Sequence, residues 1–187
     1  PDACVLVVTI RALKFHGGVE LEDVDKENLE AVEKGFENLE KHMENMRIFG
    51  VPFVVALNRF SSDTQDEIGK VKELCLKQKA RVALSEVYSR GGEGGEELAR
   101  QVLLAIDEDE SHFRFLYDLE KPLIEKIEAV AQRIYGASSV AMEGKTKREI
   151  RNIEKMGFGN LPVCIAKTQY SLSGDDEALG RPRDFTL

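Results

Sequence analysis

Basic residues are in short supply in this chain. Lys and Arg total 26 against 34 Asp and Glu, a formal net charge of −8, and no window gathers enough cations to track a phosphate backbone, so nucleic acid is not an expected partner. Long apolar runs are also missing. None approaches the ~20 residues of a membrane span and no signal-peptide pattern is present, so no membrane partner and a cytoplasmic location are expected. The three cysteines, Cys4, Cys75 and Cys164, are odd in number and widely spaced, each in or beside apolar sequence. They form neither a disulfide framework nor a metal motif and read as core thiols, and no metal-ligating residues are assigned. No G-x-x-x-x-G-K-[ST] phosphate loop and no G-x-S-x-G nucleophile elbow occurs, and no internal repeat is present.

What is there is a regular alternation. The apolar runs 4–10 (CVLVVTI), 52–57 (PFVVAL) and 80–85 (ARVALS) are short and rich in β-branched residues, as suits parallel strands covered on both faces. Between them, Leu29, Val32, Phe36, Leu39, Met43 and Met46 recur at helical spacing, with Asp25 as a candidate N-cap and Gly50 as the stop. A second helix is expected near 64–79 on Ile68, Val71, Leu74 and Leu76, capped by Asp63, and a third near 96–107. The fold class is therefore α/β, a mostly parallel sheet with helices on both faces. After residue 106 the pattern loosens into a smaller α/β subdomain, 107–187, with helices ending at Gly136 and near 156 and a last strand at 163–167 (VCIAK). The boundary is soft, near 107–121. The start at Pro1, without Met, and the ending RPRDFTL lead us to expect a piece of a longer protein.

In parallel α/β sheets ligands bind beyond the carboxyl ends of the strands. Four segments follow strands here: 11–18 (RALKFHGG), 58–64 (NRFSSDT), 85–95 (SEVYSRGGEGG) and 167–176 (KTQYSLSGDD). The first reads as a loop in which Arg11, Lys14 and His16, beside Gly17 and Gly18, suit an anion, His16 being able to carry a proton near neutral pH. A solvated loop fits these residues equally well. Gly91, Gly92, Gly94 and Gly95 offer backbone N–H groups for a nest, or simply a mobile loop. Phe60 and Tyr88 stand a few residues past successive strands, where two exposed rings suit a flat heterocycle between them, or ordinary loop packing. Lys167, with the polar residues after it, suits hydrogen bonding to a polar ligand.

In combination, TIRALKFHGG, NRF, LSEVYSRGGEGG, GFGNLP, AKTQYSLS and LGRPRDFT resemble the formate–tetrahydrofolate ligases over the whole chain. The resemblance implies a P-loop-NTPase-like architecture and a reaction in which ATP phosphorylates formate and the formyl group of formyl phosphate passes to N10 of tetrahydrofolate. It implies Mg²⁺ and a monovalent cation (K⁺ or NH₄⁺) and a cytoplasmic homo-oligomer, often a tetramer. Phe60 and Tyr88 match the positions that clamp the pterin, with Asn58, Ser85 and Glu86 in the same substrate-binding set. Where the family commonly has Trp, Tyr88 offers a smaller face. Complete members are much longer and carry a P-loop in a portion before this one, so the chain corresponds to their central-to-C-terminal segment and is expected to be inactive alone. Arg11, Lys14 and His16 would then stabilise phosphate or folate carboxylates, with His16 as the candidate for proton transfer. A non-catalytic folate- or nucleotide-binding module and a structural or oligomerising fragment are the alternatives.

Overall fold

Three parallel strands, β1 (Cys4–Val8), β2 (Phe53–Asn58) and β3 (Arg81–Ser85), pair in the order β1-β2-β3 in the computed structural model, which describes residues 1–165, 172–175 and 177–187. Val8 lies opposite Leu57, and Asn58 opposite Ser85. The alternation of side chains across this register divides the sheet into two faces. Leu6, Val8, Val55, Leu57, Val82 and Leu84 join Val32, Phe36, Leu39 and Met43 of α2 (Leu29–Phe49) and Ile68, Val71 and Cys75 of α3 (Gln65–Lys77) in the main core. α5 (Glu96–Glu108) packs on β2 and β3 from the other side, with Ala105 fully buried. The sheet is thus covered on both faces at β2. At the edge strand β1, Val5 and Val7 remain exposed.

The expected stop at Gly50 is borne out, but both helix N-caps differ from the sequence-based expectation. α2 is capped by Asn28, whose side chain accepts from the Ala31 amide, and it ends on Gly50 in the left-handed region. Asp25 lies outside the helix. α3 starts at Thr64, not Asp63: Thr64 Oγ1 accepts from the Glu67 amide while Glu67 Oε2 accepts from the Thr64 amide, a reciprocal capping box. Asp63 instead accepts from the Phe60 amide at 2.7 Å. Leu76, expected in the core, is exposed; positions 68, 71 and 75 share the buried face, so Cys75 takes the place and burial pushes its thiol up to about 12. Cys164 is exposed and Cys4 half-buried, so only one of the three thiols is fully inside.

The largest correction concerns residues 10–16, of which 11–16 read as part of a loop and Ile10 as the end of the first strand. They form a helix, α1 (Ile10–His16), begun by Thr9, whose hydroxyl accepts from the Ala12 amide, and closed at Gly17. Ala12, Leu13 and Lys14 are good helix formers, and Lys14 and His16 in the last turn suit the negative end of the helix dipole. The helix crosses α2 at very close range. A Cβ on Gly17 would stand 2.1 Å from the Ala31 carbonyl oxygen, and one on Gly35 1.8 Å from that of Leu13, so neither position admits a side chain.

Residues 1–114 with 179–181 form one compact unit, and 115–178 with 182–187 another. The second holds α6 (Leu123–Val130), which continues through a π-turn to Gly136, and α7 (Gly144–Ile153). Buried Lys126 donates to the carbonyls of Gly159 and Leu161, which gives the GFGNLP segment a packing role. The strand expected at 163–167 is not formed at 163–165. Tyr117 Oη both accepts from the Val163 amide and donates to its carbonyl, taking the groups a neighbouring strand would need. Residues 166 and 167 lie outside the described residues. Among those described, this unit's strand-like pairing is a single bridge between Ser139 and Thr186.

At the centre of the first unit is an ion pair with both side chains at 0% exposure: Lys14 Nζ lies 2.8 Å from Glu67 Oε1 and also donates to the Lys26 carbonyl. Burial pushes the Glu67 carboxyl up, but hydrogen bonds from Lys14 and from the Asn28 and Thr64 amides outweigh it and hold the group below its usual range. Its stabilisation is therefore present above the ordinary glutamate range and is lost as pH falls through the lowered value. Glu67→Ala strands a buried ammonium and is expected to cost roughly 3–5 kcal/mol in urea unfolding. Lys14→Met with Glu67→Gln, whose side-chain oxygen can still accept from the Asn28 and Thr64 amides, should recover part of that loss, and a double variant as unstable as Glu67→Ala would deny the stranded ammonium its part in the cost.

Candidate functional site

The segments following β2 and β3 turn outward on the same rim, because adjacent parallel strands end side by side at Asn58 and Ser85. They enclose a cavity of about 700 Å³ lined by Asn58, Arg59, Phe60, Ser61, Glu86, Tyr88 and Ser89. Phe60 is 38% exposed and Tyr88, on the single-turn helix α4 (Val87–Arg90), 99% exposed. Two rings thus open onto one cleft, and a flat ligand entering it would take both out of water.

The cavity's polar wall is set by Glu86. Arg59 Nη1 lies 2.6 Å from its Oε1, and Arg90 Nη1 3.3 Å from its Oε2. The hydrogen bond from Arg59 is the main reason its carboxyl is held below the usual range, so Glu86 presents a carboxylate at neutral pH. Its amide donates to the Gly94 carbonyl, and a Cβ on Gly94 would stand 2.4 Å from the Glu86 carbonyl oxygen. The glycine-rich stretch Gly91–Gly95 is a 3₁₀ turn whose role at Gly94 is to let the chain pass close behind Glu86. Gly91, Gly92 and Gly95 belong to the same turn. Ser85 is buried behind the wall, its carbonyl accepting from the Arg59 amide.

The cationic segment is placed differently from a rim loop. Lys14 is sealed inside with Glu67. His16 is half-buried, and its Nδ1 accepts from the Gly180 amide at 3.1 Å, while Asn38 donates to the Gly180 carbonyl. Arg181, beside it, makes a two-pronged contact with Glu44. The Gly17 amide donates to the Leu13 and Lys14 carbonyls and that of Gly18 to Phe15, so neither is directed to an anion. Arg11 alone of the segment reaches the cavity's edge, its guanidinium carbon 5.0 Å from the centre of the Phe60 ring. Lys167 lies outside the described residues.

Arg59, Ser61 and Ser89 are lining residues that the sequence reading passed over. Arg59 was legible as the middle residue of the quoted NRF. Among the described residues, no group of three or more His, Cys, Asp or Glu gathers in a way that could hold a metal ion.

Across residues 1–187, the chain matches the family model described as formate–tetrahydrofolate ligase. It belongs to that family. The family's chemistry joins formate to tetrahydrofolate, and the fold is of the α/β class that the alternation of elements led us to expect, both strand pairs being parallel. No helix among the described residues is long and apolar enough to cross a membrane.

Burial lowers the pKa of His16 from its ordinary 6.5, and its Nδ1 accepts the Gly180 hydrogen bond only when neutral. The folded state then binds fewer protons than the unfolded one below pH 6.5, so this contribution is complete above that value and declines as pH falls toward the lowered pKa. His16→Gln, whose side-chain oxygen also accepts but does not titrate, is expected to flatten the loss of stability as pH falls below 6.5 in urea titrations. An unchanged slope would show that Gly180 is not held by the neutral ring.

Proposed function

We propose that this chain supplies the ring-binding site of an ATP-dependent ligase that makes 10-formyltetrahydrofolate. Formate is phosphorylated by ATP, releasing ADP; N10 of tetrahydrofolate then attacks formyl phosphate, and phosphate leaves. The pterin of tetrahydrofolate lies between Phe60 and Tyr88, and Asn58 and the Glu86 carboxylate face the N–H groups along its edge. The observation that carries this reading is the cavity itself, with two rings and a held carboxylate at the ends of adjacent parallel strands. Donor groups of an aminopyrimidinone match a carboxylate well.

Of the cationic residues, Arg11 stands nearest the proposed ligand. Lys14 has its charge engaged inside the fold and His16 its Nδ1 in a backbone bond, which favours structural roles for both. Mg²⁺ and a monovalent K⁺ or NH₄⁺ would accompany the nucleotide and formyl phosphate, and no step of the chemistry is assigned to residues of this chain through them. Assembly into a homo-oligomer and residence in the cytoplasm are part of the same proposal.

Calorimetric titration of the chain with tetrahydrofolate, and separately with ATP and Mg²⁺, tests it. Saturable tetrahydrofolate binding is expected, with Phe60→Ala and Tyr88→Ala each weakening it by roughly 1–3 kcal/mol per lost ring. Binding of ATP alone, lost in the same variants, would favour adenine as the clamped ring and a nucleotide-binding module. Tetrahydrofolate affinity untouched by both substitutions would sink the ring site.

A further inference from the structure

Arg11 is held at three points. Its Nη2 lies 2.9 Å from both oxygens of Asp25, and Asp25 in turn accepts from Ser62 Oγ at 2.8 Å. Its guanidinium sits over one face of Phe60, 5.0 Å from the ring centre. The Ser62 hydrogen bond, then the charge and hydrogen bond of Arg11, keep the Asp25 carboxyl below its usual range, so the anchor is anionic. Arg11 Nε has no protein hydrogen-bond partner, so the guanidinium engages Asp25 through Nη2 while its plane lies over the Phe60 ring. Ion pair and ring together set its position.

From this geometry we infer that Arg11 is a positioning residue for the Phe60 half of the clamp. The inference rests on the ring-site reading above. A cation is attracted to the negative face of an aromatic ring, so Arg11 occupies one face of Phe60 and leaves the other for a ligand. The Asp63 carboxylate also holds this loop, accepting from the Phe60 amide. Arg11 comes from α1, Asp25 from the segment before α2, and Phe60 with Ser62 from the loop after β2, so three separate segments fix one ring. Fixing it beforehand spares the ordering cost that a freely rotating side chain would impose on binding. The guanidinium also draws ring density toward itself. The open face is left poorer in electrons and better suited to an electron-rich reduced pterin than to an oxidised one.

The test combines ring-¹³C phenylalanine NMR with calorimetry on the chain, the Phe60 signal being assigned from its absence in Phe60→Leu. In Arg11→Gln the Phe60 signal should move while signals of the core phenylalanines stay, which also shows that the variant is folded. Tetrahydrofolate affinity should fall roughly three- to ten-fold, with Arg11→Lys between it and the parent. Asp25→Asn, which loosens the anchor without removing the cation, should shift the same signal less. A Phe60 signal unmoved in Arg11→Gln overturns the proposal, as does a displaced ring with unchanged affinity. If the parent chain binds no tetrahydrofolate while Phe60 still responds to Arg11, the ring-site reading fails and the hold of Arg11 on Phe60 stands.

Discussion

The first unit depends on a charge placed where there is no water to receive it. Lys14 and Glu67 are both fully enclosed, and such a pair gains little over a well-packed apolar one, because each ion gives up its hydration to enter. What the pair supplies is exactness of placement. Glu67 accepts from three donors in three segments: Lys14 on α1, the Asn28 amide that leads into α2, and the Thr64 amide that opens α3. A helix end shifted by one residue would leave a buried charge or an orphan amide. The last turn of α1 and the starts of α2 and α3 are therefore fixed against one carboxylate.

From that anchor the rim follows. Lys14 and Arg11 are three residues apart on one helix, hence on neighbouring positions of the same face. One points down to Glu67, the other up to Asp25 and Phe60. The Gly17 and Gly35 crossing brings the helix close enough to α2 for this to happen, since any Cβ there would collide with backbone. α3 starts five residues past Phe60, so the capping box at Thr64 also sets the length of the loop that carries the ring. The buried pair and the exposed ring are linked through a few residues of rigid backbone.

Strands and long helices were legible in the sequence because their signals are local. Val32, Phe36, Leu39 and Met43 mark a helix whatever surrounds it, and three β-branched runs separated by helices leave little choice of topology. The cavity was legible for the same reason, as parallel strands place their exits together. Two things were not. The segment 11–18 was read through its chemistry, so that two cations, a histidine and two glycines outweighed the good helix formers Ala12 and Leu13 and the Thr9 cap. The partner of Lys14 lies 53 residues away, a distance no periodicity spans, although the pattern Thr64-x-x-Glu67 already marked Glu67 as a residue with a local task. At 163–165 a tyrosine hydroxyl satisfied the backbone that an apolar run alone would have given to a strand.

A segment rich in groups that bind anions or carry protons invites a catalytic reading, and the geometry here gives each of them a prior engagement. Lys14 is bonded to a buried carboxylate, His16 to the Gly180 amide, and Arg11 to Asp25 and an aromatic face. A general base must keep a lone pair free for the proton it removes, and His16 spends its Nδ1 lone pair on the backbone. An electrostatic stabiliser must reach the developing charge, and Lys14 has no path to the surface. What remains exposed at the cavity is the ring of Phe60 and the ring of Tyr88, beside the partly buried Glu86 carboxylate that Arg59 and Arg90 hold. In the reading proposed above these groups recognise the ligand, and of the cations of α1 it is Arg11 that lies against one of the two rings.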